Sequence, residues 1–155
     1  MKIAVIGIGQ SLRGDDAAGL EAVRLWQEKY PQSAARVRME LAELPGPGLL
    51  DLLEEIDAAV LVDAVHSSAE PGTLIRIGPE DLASFSPDAG SAHGWGVAET
   101  LQLGRSLYPS LASCCITLIG IVGKQFDLGA GLSPEVRATL AGAVERIEKV
   151  VQSLL

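Results

Sequence analysis

Aromatic side chains are scarce in this chain, with two each of Trp, Tyr and Phe among 155 residues. The interior must be filled by aliphatic residues, which bring the hydrophobic fraction to 48%. That is enough for a domain of this size to bury about two-thirds of its unfolded surface. The length suits a single domain, residues 1–155. Cysteine is limited to the adjacent pair Cys114 and Cys115. Neighbouring strand positions point to opposite faces, which excludes an ordinary disulfide between them. Both read as buried small hydrophobes, and nothing calls for an oxidising compartment. Basic residues are outnumbered, 12 against 20 acidic, for a net charge of -8. General nucleic-acid binding is excluded, because it needs a basic face to displace counterions. Attraction to anionic membranes is disfavoured too, whereas a cation or a basic peptide would be drawn in. No apolar run approaches the roughly 20 residues of a transmembrane helix. The opening MKIAVIGIGQSLRGDD is too short in apolar residues for a signal peptide. The expectation is a soluble, cytoplasmic, monomeric protein with no membrane partner.

What the chain does have is alternation of apolar runs with helical patterns. Lys2–Ile8 reads as a fully buried first strand. The loop Gly9–Gly14 follows, and Asp15 and Asp16 open a helix reaching about Tyr30, closed by Pro31. Further strands are expected at Val37–Ala42, Ala58–Val65, Thr73–Ile77 and Cys115–Val122. Helices are expected at Leu49–Ile56, Gly94–Tyr108 and Ser133–Leu154, the last with Ser133 as N-cap and Pro134 at its first position. Gly78–Ala92 has the weakest pattern. The succession implies an α/β fold with a mostly parallel sheet covered on both faces. In such sheets ligands bind beyond the carboxyl ends of the strands. That rule directs attention to the loop after the first strand, the end of AAVLVDAV, and the loop before GWGVAETLQLG.

The first of these loops, GIGQSLRGDDAAG, is not a phosphate cradle. Leu12 stands where a dinucleotide fingerprint needs its third glycine, and the Walker lysine is missing. Asp15 and Asp16 would repel a phosphate at that helix N-terminus and would suit a cation. Their simplest role is to complement the helix dipole, worth about 0.3–1 kcal/mol each. Asp63 interrupts an apolar strand near its end. A carboxylate there must be hydrogen-bonded, paired or metal-bound. There are two histidines. His66 reads as an exposed loop residue without a role. His93, in SAHGWG before a helix, is either an ordinary cap-region side chain or a metal ligand. Asp16, Asp63 and His93, from three strand-end loops, would make an open metal site. Their donors suit nickel, zinc, iron or cadmium alike. No nucleophilic triad is visible: Ser11, Ser84 and Ser113 lack an elbow motif, and Glu99 belongs to a solvated helix face.

Taken in order, GIGQSLRGDDAAG, LVDAV, a histidine before a helix and LIGIVGKQFDLGAGLSPEV resemble the hydrogenase maturation proteases over nearly the whole chain. Members of that family carry a strand followed by G-N-x-L-x-x-D-[DE]-x-x-G. Gly9, Leu12, Asp15, Asp16 and Gly19 fall on this pattern, and Gly129 to Pro134 matches the family's closing segment. The resemblance implies a three-layer α/β sandwich with a mostly parallel sheet of about five strands. It implies an aspartic-type endopeptidase that removes a C-terminal peptide from the large-subunit precursor of a nickel–iron hydrogenase. The cofactor expected is nickel presented by that precursor, contacted by Asp16, Asp63 and His93 as both metal-binding and catalytic residues, with no organic cofactor. One position and one segment depart from the family. Gln10 replaces the usual asparagine, and Glu43-Leu44-Pro45-Gly46-Pro47-Gly48 stands where many members have an Asp-Gly-Gly-Thr type segment implicated in substrate recognition. The alternatives are a non-catalytic nickel-binding maturation factor on the same scaffold, which would cut nothing, and a different α/β hydrolase, which would need a phosphate site or a nucleophile.

Overall fold

The computed structural model describes residues 1–43, 46–82 and 96–155. Its strands are β1 (Ile3–Gly9), β2 (Arg38–Glu43), β3 (Ala58–Val65), β4 (Leu74–Ile77) and β5 (Cys115–Val122). Its helices are α1 (Ala18–Lys29), α2 (Pro31–Ala34), α3 (Gly48–Leu52), α4 (Pro79–Leu82), α5 (Gly96–Leu107), α6 (Pro109–Ala112) and α7 (Pro134–Leu154). The strands form one sheet in the order β2-β1-β3-β5-β4. Pairing is parallel between β1 and β2, β1 and β3, and β3 and β5, and antiparallel between β4 and β5, where Leu74 faces Ile121. The sheet is therefore mixed but mostly parallel, as the alternating pattern implied. No described helix is long and apolar enough to cross a membrane.

Strands covered on both faces must be apolar on both faces. β1 is buried at every position, and β3 at every position except Asp63. On one face Val5, Val60, Val62 and Ile119 pack against Val23, Trp26 and Val144 of α1 and α7. On the other, Ile6, Ile8, Leu61 and Leu118 pack against Leu49 of α3 and Leu101 of α5. In α7 the buried Val136, Leu140, Ala143, Val144, Ile147 and Val151 recur at the three- and four-residue spacing of a single apolar stripe. Ser133 caps that helix, accepting the Val136 N–H at 3.4 Å. Gly19 sets how closely α1 approaches the sheet. A β-carbon there would stand 2.2 Å from the Val62 carbonyl and 2.6 Å from that of Ile8. Only glycine lets the helix start directly against the ends of β1 and β3.

Several local expectations need correction. Asp15 and Asp16 do not open an α-helix. They lie in a 3-10 turn, Gly14–Ala17, and α1 begins at Ala18. The helix expected at Leu49–Ile56 ends at Leu52, and Glu55 turns the chain with a φ of 60°. The short helices α2, α4 and α6 were not anticipated, although each begins at a proline, whose fixed φ suits a first helical position. α4 lies in the segment that looked patternless. Cys114 is buried as expected, but Cys115, the first residue of β5, is exposed.

A candidate active site at the carboxyl ends of β1 and β3

β1 lies between β2 and β3. The chain leaves β1 through α1 toward β2, then returns through α3 to β3 on the other side. The connections after β1 and β3 thus diverge and open a crevice, the switch point at which doubly wound sheets place ligands. A cleft of about 270 Å³ lies there, lined by Ile8, Gly9, Asp16, Gly46, Asp63 and Val97 among others. Asp16 reaches it from the 3-10 turn after β1, and Asp63 from β3 itself. Gly9 allows this. Its φ is 156°, and a β-carbon on it would stand 1.9 Å from the Asp16 carbonyl, so the turn bearing Asp16 folds directly onto the end of β1.

The two carboxyls affect one another. Asp63 is pushed from an ordinary value of 3.8 up to about 8, first by burial and then by repulsion from Asp16, against a hydrogen bond from the Ala64 N–H. Burial also raises Asp16, opposed by the attraction of His66, by hydrogen bonds from Gln10 and by the Arg13 charge. At neutral pH, then, Asp63 holds a proton beside a carboxylate that is better supported. Such a pair can divide acid and base roles between its members, and its oxygens can also receive a cation.

Asp15 has a different task. It is fully buried. Its carboxylate accepts the backbone N–H groups of Lys124 at 2.7 Å, Gln125 at 3.1 Å and Ser133 at 2.7 Å, and the Ser133 hydroxyl at 2.8 Å. Burial alone would raise its pKa, but the hydrogen bonds from Lys124, Ser133 and Gln125 prevail and hold it below the ordinary value. The backbone adds Asp15 N–H to the Gln125 carbonyl at 2.8 Å, Gly14 N–H to Ala130 at 3.1 Å and Gly129 N–H to Leu12 at 2.8 Å. Asp15 therefore clasps the first loop to the segment 123–133 instead of capping its own helix. Glu43, at the end of β2, pins the other side of the loop by accepting the Ser11 N–H at 2.7 Å and hydroxyl at 2.5 Å.

Of the three residues expected at the site, Asp16 and Asp63 share this cleft. His93 lies outside the described residues. Among the described residues no group of three or more His, Cys, Asp or Glu side chains is placed to hold a metal ion. His66 is exposed as expected but is not isolated. Its ring stacks on Phe126, with centroids 3.7 Å apart and planes 16° apart, and it bears electrostatically on Asp16. The available signal was its position on the turn directly after β3.

The sequence profile of the hydrogenase maturation proteases (HycI) matches residues 44–150. The hydrogenase expression/formation protein HupD of Thiocapsa roseopersicina is 30% identical over 93% of this chain, which spans 65% of that relative's length. The hydrogenase 2 maturation protease of Escherichia coli K12 is 26% identical over 95% of this chain and 88% of its own length. Among solved structures, the NiFe hydrogenase maturation protease HybD from Thermococcus kodakarensis superposes with a TM-score of 0.73 at 32% identity, covering 97% of this chain and 99% of that one. The profile match over more than half of the chain and the superposition on a solved relative agree: the chain belongs to the hydrogenase maturation protease family.

Proposed function

We propose that this protein is the endopeptidase that removes a C-terminal peptide from the nickel-loaded large-subunit precursor of a nickel–iron hydrogenase. The observation that carries the reading is the placement of Asp16 and Asp63 in one cleft at the switch point, close enough for one charge to help push the other carboxyl up to about 8. Two carboxyls so close cannot both ionise freely, and a cation brought by the substrate would relieve that conflict. Nickel in this reading is the substrate's cargo. Asp16 and Asp63 would contact it through oxygen, and His93, which precedes α5 in the sequence, would add a nitrogen. This donor set accords with nickel without singling it out. No organic cofactor is required.

The chemistry is peptide hydrolysis. One carboxylate accepts a proton from the attacking water, and the departing amine takes up a proton in turn. The apolar walls at Ile8, Leu49 and Val97 keep the pair in a medium of low polarity, where proton affinities respond strongly to a neighbouring charge. Gly46 also lines the cleft, and Glu43 grips Ser11. Gly46, from the family-atypical stretch of sequence 43–48, thus borders the site, and that stretch would govern which precursor is accepted. The protein is proposed to act in the cytoplasm as a monomer.

The intact mass of the host's hydrogenase large subunit, with and without this gene, tests the proposal. A C-terminally extended subunit in the deletion strain, trimmed when the gene is restored, is the expected result. A mature mass in both strains would contradict it. An extended subunit that binds this protein but stays uncut would leave the non-catalytic nickel-binding factor as the better account.

A further inference from the structure

The turn after β3 carries a side chain that the carboxylate pair leaves unused. His66 follows Asp63 by three residues, directly after the end of β3, and is exposed. Its imidazole lies nearly flat on Phe126. Phe126 belongs to the segment 123–133, whose backbone Asp15 holds at Lys124, Gln125 and Ser133. The ring is thereby oriented by a part of the protein that is itself anchored. A solvated loop histidine would ordinarily keep its rotamer freedom, and fixing it costs conformational entropy. Here stacking opposes that cost, since the covered ring face is removed from water against Phe126. The ring also lies near enough to Asp16 to favour its carboxylate. It stands at the carboxyl end of β3, exposed, with one ring face against Phe126 of the clasped segment.

An imidazole edge offers an N–H donor in either protonation state. An extended peptide main chain offers carbonyl acceptors to it, whatever its side chains. From this placement we infer that His66 contacts the substrate, its ring edge hydrogen-bonding the main chain of the peptide that enters toward Asp16 and Asp63 while Phe126 fixes the ring plane. This rests on the peptidase reading above. The contact is made before and during bond cleavage alike, so it serves binding, and its removal acts on KM with little change in kcat. Loss of one such hydrogen bond should raise KM about 3- to 10-fold. A His66 that only braced the turn would behave otherwise, lowering the unfolding midpoint and the active fraction at an unchanged KM.

The test is steady-state processing of nickel-loaded precursor by the wild type and by His66→Ala, His66→Phe and His66→Asn, with thermal unfolding of each. His66→Phe keeps an aromatic ring to stack on Phe126 but has no nitrogen. It is expected to raise KM as much as His66→Ala does, with a wild-type midpoint and a kcat within about twofold. His66→Asn, which restores an N–H donor, is expected to recover part of the loss. A wild-type KM in His66→Phe overturns the inference and leaves the peptidase reading intact. Failure of the wild type to cut the precursor overturns both.

Discussion

Asp15→Ala is expected to destabilise the protein by about 3–5 kcal/mol, the range for breaking a buried, charged hydrogen-bond network. The substitution leaves the N–H groups of Lys124, Gln125 and Ser133 and the Ser133 hydroxyl without their acceptor. Each buried donor left unpaired carries its desolvation cost. The loss would be a large fraction of the roughly 5–15 kcal/mol that holds a typical domain together, and it would release the segment 123–133 from the first loop. Because the folded pKa of Asp15 is depressed, its stabilisation is fully present above the ordinary value of 3.8 and is lost as pH falls through the lower folded value. The gap between wild type and variant in urea unfolding should therefore be constant at neutral pH and narrow only in strong acid. An unchanged midpoint at pH 7 would mean that the clasp does not hold the fold.

Asp63→Asn should act in the opposite direction on stability while removing function. A carboxyl whose folded pKa is raised to about 8 from 3.8 favours the fold most when protonated. That contribution is fully present below 3.8 and is lost as pH rises through about 8. The wild type should thus lose stability between these two values, and the neutral amide should not. With nickel and other divalent ions chelated, the variant is expected to exceed the wild type by about 1–3 kcal/mol at pH 7, allowing for the solvent contact Asp63 retains. The difference should grow up to about pH 8 and level off beyond it. Precursor processing by the same variant should fall by about 100-fold or more, since the amide can neither take nor give the proton. Parallel stability–pH curves would show that the burial of this carboxyl costs the fold nothing. Processing at the wild-type rate would remove Asp63 from the chemistry.

Much of this was legible because the relevant signals are local. A buried strand declares itself as an unbroken apolar run, so the limits of β3 and β5 coincide with those read from the sequence. Asp63 could be singled out because a carboxylate inside such a run needs a reason. Asp16 could be placed by its position after the first strand. Strand order was less accessible. β4 follows β3 closely in the chain yet pairs antiparallel with β5, a choice made by tertiary packing. The task of Asp15 was hidden for the same reason: its partners lie 109 to 118 positions away. An acidic residue ahead of a helix looks the same locally whether it serves that helix or another segment. His66 likewise gains its significance from Phe126, which reaches it from a distant loop.

The central claim is that the two-carboxylate cleft cuts a precursor that carries nickel. The most direct measurement is the mass of purified large-subunit precursor, loaded with nickel or nickel-free, after incubation with this protein. Loss of a single C-terminal peptide from the nickel-loaded form, its absence from the nickel-free form, and no cleavage by Asp16→Asn are the predicted results. An intact nickel-loaded precursor, or equal trimming by Asp16→Asn, would contradict the account.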